Sequence, residues 1–475
     1  MSFKKSFYKN VSNYAIYSYI SQGFEFFSTI ILSRLLLPEE YGFVVIILVF
    51  AGFVKLFASV GINASVVRSD YGNTFHRHLH SLAIWIGFGL TILMMLLSYP
   101  IAVIFENNKL ILPTILASFI FVFEGFSHVP SAVLSKNLDF KSVGVANLIG
   151  SVFQISLTIV LAYLGFSYWS LIIPLVLSPI IAYVYIIRKV RIPFMLFGWG
   201  AAKRVFKKVR SLMGYLSLGN LFTYWAGNAD KVAIARSYSD FDLGLYNRAF
   251  RFTMIATRLI TSIFSRVLLP SLKKLVLEKG DANKEYLDII RVISLFNMPI
   301  VMLLLIFPKN LVLILWGSDW AGVAEYLPYV AIILIYQSMF RTTQPVYLLY
   351  NKERTLTFLH VFNSIIKVVL VIIGSFYSVI HIITLLTLFE IIINLPLQVY
   401  YGFYKSFGFS KADIFNFWVP VSIVGVGLYL SIYTDNLLLR AIVFVFFNLK
   451  LVYDLRKTII ENIKKLNAQL AERRR

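Results

Sequence analysis

The 475-residue chain contains no cysteine, which excludes disulfide frameworks and thiolate metal sites and leaves the redox compartment open. Charge is scarce. Asp, Glu, Lys and Arg make up 14% of the residues, against about 25% in a soluble domain. Acids are scarcer still, with 23 Asp and Glu against 45 Lys and Arg, giving a formal net charge of +22. The sequence has no Gly-rich phosphate loop, no G-x-S-x-G turn and no H-E-x-x-H pair, so nothing signals ATP-driven, acyl-transfer or zinc-protease chemistry. The histidines form no metal-ligand pattern; His76, His78 and His80 share one short loop and read as interfacial. No loop is long enough to hold a folded domain.

Apolar residues fill the space left: 59% of the chain is hydrophobic and 16% aromatic, with a mean hydropathy of +0.76. This is the composition of an all-α polytopic membrane protein. Its basic residues lie in short loops between apolar runs, which removes the nucleic-acid reading of the net charge. Apolar runs of about 20 residues predict about fourteen spans, at 11–36, 43–67, 81–105, 110–134, 144–164, 168–187, 211–235, 245–269, 287–308, 325–349, 356–377, 380–402, 414–432 and 437–453. The basic start (Lys4, Lys5, Lys9) runs into the first of these without a small-x-small cleavage site, so the segment reads as a retained span. With the N-terminus in the cytoplasm, the same side receives the 188–210 cluster, Lys273, Lys274, Lys279, Lys284, Lys352, Arg354, Lys405, Lys411 and the terminal Arg473-Arg474-Arg475. The opposite side keeps little beyond Lys109, Lys309 and Arg236. That asymmetry predicts a multi-pass membrane protein with both termini in the cytoplasm.

The chain also resembles itself. Ser33-Arg34-Leu35-Leu36-Leu37-Pro38-Glu39-Glu40-Tyr41-Gly42 follows span one, and Ala235-Arg236-Ser237-Tyr238-Ser239-Asp240-Phe241-Asp242-Leu243-Gly244 follows span seven. Each has a small residue and then Arg, an acid two before Gly, and Gly eight after Arg, at an offset of 202 residues. The offset also superposes polar stripes: Ser18, Ser21, Gln22, Glu25 and Thr29 against Asn220, Thr223, Tyr224, Gly227 and Lys231. Spacings of three, four and seven mark a wet helix face. Parallel repeats of this kind occur in transporters, with the substrate site between the halves. The predicted organisation is a six-helix bundle at 1–187, a basic cytoplasmic linker at 188–210, a second six-helix bundle at 211–402, two additional spans at 403–453 and a tail at 454–475. The additional spans are expected to hold almost no buried charge. The tail alternates charges at helical spacing and reads as a surface helix against anionic lipid.

Ionisable residues inside the membrane are costly and mark pathways or neutralising pairs. The helix expected at Leu243–Pro270 places Arg248, Arg251, Arg258 and Arg266 on one stripe about 27 Å long. Arginines near its ends can snorkel; Arg258 is too deep for that and points to a wet cavity. Glu25 lies mid-depth in span one beside Gln22. Lys55 lies in span two, with Ser59 and Asn63 following on the same side. Glu124 is in span four. Asp230 and Lys231 are low on span seven, which also carries Asn220 and Asn228. Arg341 is in span ten, Lys367 follows Asn363 in span eleven, and Glu390 precedes Asn394 in span twelve. Two readings stay open for these residues: charges that only neutralise one another, or the lining of a transport cavity. Cations outnumber anions, which suits an anionic substrate, and Arg matches phosphate oxygens with a planar fork. Asp240-Phe241-Asp242 has metal–nucleotide D-x-D spacing but occupies the turn equivalent to Glu39-Glu40-Tyr41, and reads as a turn.

These residues carry a family resemblance. The Ser33–Gly42 decapeptide followed by Gly61-Ile62-Asn63-Ala64-Ser65-Val66-Val67-Arg68 resembles the opening of bacterial polysaccharide flippases. Gly244-Leu245-Tyr246-Asn247-Arg248-Ala249-Phe250-Arg251, running on to Arg266-Val267-Leu268-Leu269-Pro270, does so too. These are Wzx-type lipid-linked oligosaccharide transporters, in the superfamily that also holds the lipid II flippase and the MATE exporters, and the motifs resemble the colanic-acid and teichuronic-acid exporter branch. The resemblance implies two six-helix bundles in a V around a cavity, and alternating-access flipping of an undecaprenyl-pyrophosphate-linked repeat unit. It also implies that Lys55, Lys231, Arg251 and Arg258 receive the pyrophosphate. Glu25 departs from the pattern and becomes a candidate for proton or cation coupling. Asp230, Asn228, Asn220, Gln22, Lys367 and Glu390 are the remaining cavity or coupling candidates. No enzymatic activity, metal or organic cofactor is implied beyond proton or sodium coupling. Expected partners are the lipid-linked oligosaccharide, membrane lipids and a polysaccharide polymerase or chain-length machinery. The alternatives are a cation-coupled multidrug exporter, supported by Glu25, Glu124 and Asp230, and a membrane-embedded polymerase or ligase, which would need a large outer loop.

Overall fold

The computed structural model describes residues 3–58, 73–190, 221–277, 282–340 and 342–472, with the single positions 66, 200, 203 and 206. No strand occurs among the described residues. The first helices are α1 (Phe3–Leu32), α2 (Pro38–Lys55), α3 (Asn73–Ile104), α4 (Asn108–Lys136), α5 (Phe140–Tyr163) and α6 (Trp169–Lys189). Then come α7 (Ala229–Ser237), α8 (Asp240–Leu277), α9 (Ala282–Ile306), α10 (Pro308–Leu315), α11 (Val323–Phe340) and α12 (Thr343–Leu349). The last are α13 (Glu353–Ser375), α14 (Val379–Ser406), α15 (Lys411–Tyr433) and α16 (Leu437–Glu472). Among the described residues, nine helical segments are long and apolar enough to cross a membrane. The other expected spans fall on α1, α2, α7, α8 and α16, an arrangement consistent with fourteen. Large apolar side chains stand exposed on the outer faces, among them Phe27, Leu96, Val103 and Ile372, as lipid contact requires.

Local chemistry explains the two starts that the repeat made conspicuous. Pro38 opens α2 at a position that needs no N–H, and the Glu40 carboxylate accepts the Leu37 N–H at 2.8 Å. In α8 the Asp242 carboxylate accepts the Ser239 N–H at 3.3 Å, while Ser239 Oγ accepts the Asp242 N–H at 3.2 Å. That is a reciprocal cap of the first helical turn. The second acid of the D-x-D triplet is therefore occupied in starting a helix.

The helices form two compact units, Met1–Asn247 with Leu315–Trp320, and Arg248–Ile314 with Ala321–Arg475. In the first, α1 packs on α5, α5 on α6, α4 on α3 and α6, and α2 on α3 and α7. In the second, α9 packs on α11 and α16, α14 on α11 and α13, and α15 on α11 and α16. The two additional C-terminal spans therefore pack against helices of the second repeat copy. They are not free of buried charge as the sequence suggested. Arg440 is 5% exposed; its Nη1 donates to the Leu305 carbonyl at 2.9 Å and its Nη2 lies 3.6 Å from Asp435. At the far end of the same seam, Arg291 pairs with Asp288 at 2.6 Å and lies 3.8 Å from Asp454.

Inside the first unit the repeat becomes a physical contact. A Cβ on Gly42 would lie 1.7 Å from the Asp240 carbonyl oxygen, and a Cβ on Gly244 would lie 2.0 Å from the Pro38 carbonyl oxygen. Residues 38 and 240, like 42 and 244, are 202 apart, so each copy's glycine seats the other copy's helix start. The arginines of the two motifs show the same reciprocity. Arg236 pairs with Glu106, in the turn after α3, at 2.7 Å. The Arg34 guanidinium lies against Gly317, in the turn after α10. Trp320 Nε1 donates to the Ser33 carbonyl at 3.0 Å.

Candidate functional site

The first unit holds an open pocket of about 360 Å³ with polar side chains among its lining, within the size range of small-ligand sites. Its walls come from four helices. Lys55 closes α2 at the end opposite the glycine crossing. Glu124, Ser127, His128 and Ser131 line it from α4, at spacings of three, four and seven. Asn147, Gly150, Ser151 and Gln154 repeat the same spacing on α5, and Ser178, Pro179, Ala182 and Ile186 face it from α6. At 100° per residue such spacings lie along one helix face, so two polar faces meet across the gap.

Lys55 Nζ donates to Glu124 Oε1, the lysine half-exposed and the carboxylate largely buried. Ser178 Oγ donates to Gln154 Oε1 at 3.2 Å. Among the described residues Glu124 Oε2, Ser127 Oγ and His128 Nε2 are buried without a hydrogen-bond partner. Buried polar atoms are normally satisfied; these three lie beneath the cavity surface, not on it. On the other side of the α4–α6 seam lies an apolar pocket of about 190 Å³ formed by Phe123, Phe126, Ile180 and Tyr183.

A second cluster lies in the second unit, where α13 meets α14. Glu390 is 2% exposed; its Oε1 accepts Lys367 Nζ at 2.9 Å and its Oε2 accepts Asn394 Nδ2. Asn363 Nδ2 donates to Asn394 Oδ1 at 2.8 Å, and the Lys367 ammonium sits 5.0 Å over the Phe389 ring. Residues Phe389–Asn394 form a π-helical segment, an irregularity often found at functional positions. The pair expected on span eleven and the pair expected on span twelve are thus one network.

The other candidates are dispersed. Gln22 Nε2 bonds the Ser18 carbonyl at 3.2 Å on α1, where Glu25 is half-buried. Lys231 Nζ donates to Asn228 Oδ1 at 2.8 Å, and Asp230 accepts the Tyr246 hydroxyl. Tyr224, on the expected wet stripe, instead donates its hydroxyl to the Val49 carbonyl of α2. Arg248 is 4% exposed and Arg251 is exposed. Asn220, Ser59, Asn63 and Arg341 lie outside the described residues, as do the side chains of Arg258 and Arg266. His128, Ser127 and the α5 face escaped the sequence reading. Their common signal is the i, i+3, i+4, i+7 recurrence of polar residues in spans four and five, visible only when Glu124 is taken with its neighbours.

Apolar helices long enough to cross a membrane, three of them lining a pocket with polar side chains, define an all-α, multi-pass membrane protein. A family model described as "polysaccharide biosynthesis protein" matches residues 31–325, and the chain belongs to that family. It is 22% identical over 307 residues to the succinoglycan biosynthesis transport protein ExoT of Rhizobium meliloti (strain 1021), covering 63% of this chain and 60% of ExoT. It is 21% identical over 339 residues to the lipopolysaccharide biosynthesis protein WzxC of Escherichia coli (strain K12), covering 68% and 66%. The chain spans about three fifths to two thirds of the length of the curated relatives it matches. Among solved structures, the lipid II flippase MurJ in an inward closed conformation superposes with a TM-score of 0.70 at 16% identity, covering 94% of this chain and 99% of MurJ. An inward-facing multidrug resistance MATE family transporter gives 0.60, also at 16% identity, covering 82% and 96%. Both establish the fold.

Proposed function

We propose that this protein flips lipid-linked oligosaccharide repeat units across the cytoplasmic membrane for surface polysaccharide assembly, by alternating access. The observation that carries the reading is a pocket with polar side chains among apolar spans in a chain of the polysaccharide biosynthesis family. A polar head group needs such a lining, because the bilayer core offers it no hydrogen bonds. The names of ExoT and MurJ, a transport protein and a lipid II flippase, point the same way. Lys55 stands at the rim with one donor engaged by Glu124; an ammonium has three, so a pyrophosphate can be held beside the carboxylate. Lys231, Arg251 and Arg258 are the further pyrophosphate candidates. The Lys367–Glu390 network is the candidate for coupling to protons, since protonating Glu390 would release the lysine; Glu25 is the other. The protein does no covalent chemistry in this reading, keeps both termini in the cytoplasm and hands its product to a polymerase.

The test is lipid analysis of a deletion strain, resolved by leaflet. Complete lipid-linked units trapped on the cytoplasmic side, released by wild type but not by Arg258→Ala, are expected. Complete units on the outer leaflet would make it a polymerase, and unchanged lipid-linked sugars would sink the saccharide assignment altogether.

A further inference from the structure

We infer that the end of α14 and the start of α13 together bind the head group of an anionic phospholipid. This rests on the flippase reading only for the leaflet, which the expected orientation makes the cytoplasmic one.

A backbone irregularity builds the site. Gln398–Ser406 is π-helical over nine residues, whereas such segments are usually single turns. Its bonds reach five residues back: the Phe407 N–H donates to the Gly402 carbonyl at 2.9 Å, and Ser406 Oγ donates to the Tyr401 carbonyl at 2.6 Å. In an α-helix, residues five apart point about 140° away from each other; here they stack. Lys405 is thereby brought over the rings of its own helix, 4.7 Å from the Tyr400 centroid and 5.3 Å from that of Tyr401. Tyr404 stacks on Tyr400 at 6.1 Å, and Phe358 of α13 meets Tyr401 at 5.9 Å. Two helices thus share one platform, on which Tyr400, Tyr404, Lys405 and Phe358 are all exposed. An aromatic belt accounts for exposed tyrosines near a membrane surface. It does not account for a lysine held over their faces by a π-helical backbone.

The chemistry of the platform is one-sided. Among the described residues, neither the Lys405 ammonium nor the Tyr400 and Tyr404 hydroxyls have a hydrogen-bond or ion-pair partner. An ammonium offers three donors and a phenol one, which is the set a phosphodiester takes up. Lys352, Arg354 and Lys411 stand exposed on the neighbouring helix starts, against Glu353 and an Asp413 already engaged in capping α15 through Ser410. That balance repels a cationic head group and favours an anionic one. An apolar bed adjoins it. α13 is the least covered of the nine membrane-length helices, and Phe358, Phe362, Ile365 and Val369 stand exposed along one of its faces. An acyl chain laid on that face puts its phosphate at Lys405. The lipid so bound grips the helix that carries Glu390.

The absence of cysteine gives a direct test. Val361→Cys puts one thiol beside the platform, where the residue is 43% exposed, and Phe376→Cys puts one at the opposite end of α13, where it is 81% exposed. Each purified full-length variant, labelled with bimane, is placed in phosphatidylcholine nanodiscs carrying a small fraction of phosphatidylglycerol brominated in its acyl chains. The same fraction of brominated phosphatidylcholine is the comparison. One surface lysine enriches anionic lipid about fivefold, so phosphatidylglycerol should quench the Val361→Cys label about fivefold more than phosphatidylcholine does, and the Phe376→Cys label equally. Adding Lys405→Gln to Val361→Cys should remove most of the excess, as should Tyr400→Leu with Tyr404→Leu, which keeps the charge. Lys411→Gln changes the net charge by the same amount beyond the platform and should leave the excess nearly intact. Quenching by brominated phosphatidylcholine should be the same in every variant, which separates lost binding from lost folding. Equal excess at both labels, no effect of the tyrosine changes, or Lys411→Gln acting as strongly as Lys405→Gln overturns the site. The flippase reading is then still judged by the leaflet analysis, because quenching requires no transport.

Discussion

Adding a single methyl group at Gly42 tests whether the repeat is a mechanical contact. In open helical positions Gly→Ala is favourable by about 1 kcal/mol, because alanine has the higher helix propensity. Gly23 and Gly89, where an added Cβ meets nothing within 4 Å, should show that gain. At Gly42 the new Cβ falls 1.7 Å from the Asp240 carbonyl oxygen and 2.9 Å from the Gly244 nitrogen. The obstacle is backbone, so α2 and the start of α8 must separate. Overpacking costs about 1–3 kcal/mol even against movable side chains; taking the upper end and returning the propensity gain leaves a net loss of about 2 kcal/mol. Gly244→Ala meets the Pro38 carbonyl at 2.0 Å and should cost the same. One separation relieves both clashes, so the double variant should cost less than the two singles together, with a coupling of about 1–2 kcal/mol. Unfolding midpoints of the purified variants, read by intrinsic fluorescence in one detergent, provide the measurement. An unchanged midpoint for Gly42→Ala, or strict additivity in the double variant, would refute the reciprocal crossing.

Two further outcomes follow from charges already described. Lys367→Met leaves the buried Glu390 carboxylate without its cation and should cost about 3–5 kcal/mol, whereas Lys367→Met with Glu390→Leu should recover most of it; a double variant as unstable as the single would show that the pair is not the relevant unit. Asp240 has its carboxyl held above the ordinary carboxylate range, first by burial and then by Glu39. The raised value means that the folded protein prefers the neutral acid, so this contribution is fully present below the ordinary carboxylate range and is lost as pH rises through the raised value. Asp240→Asn should therefore flatten the decline of the unfolding midpoint over that interval, and an unaltered pH profile would remove Asp240 as its cause.

The fold was legible in the sequence where local patterns repeat. The two decapeptides carry an acid that caps a helix start and a glycine that admits another backbone, and both demands are local enough to leave the same letters twice. Apolar run length likewise located the helices. What crosses between helices was less legible. Lys55 and Glu124 are 69 residues apart, and no spacing rule gives the register between α2 and α4 that brings them together. Lys367, Glu390 and Asn394 were each visible as buried polar residues, yet their union depends on a π-helical segment whose extra residue per turn breaks the 100° periodicity. Tyr224 misled because a hydroxyl at stripe spacing reads as wet, while here it spans to the carbonyl of Val49. Arg440 misled in the other sense, since an isolated charge in an apolar run can find two carbonyls and an aspartate.

The last helix sets a length scale. α16 is continuous over 36 residues, about 54 Å at 1.5 Å per residue, whereas the hydrocarbon core spans about 30 Å. About 24 Å of it must stand clear of the hydrocarbon, beginning near Asp454, where Arg291 of α9 clasps it. The same unbroken helix thus serves two surroundings, apolar before Asp454 and charged after it, and a fluorophore at Glu472 with quenchers in the acyl chains would measure how far the charged part stands from the lipid.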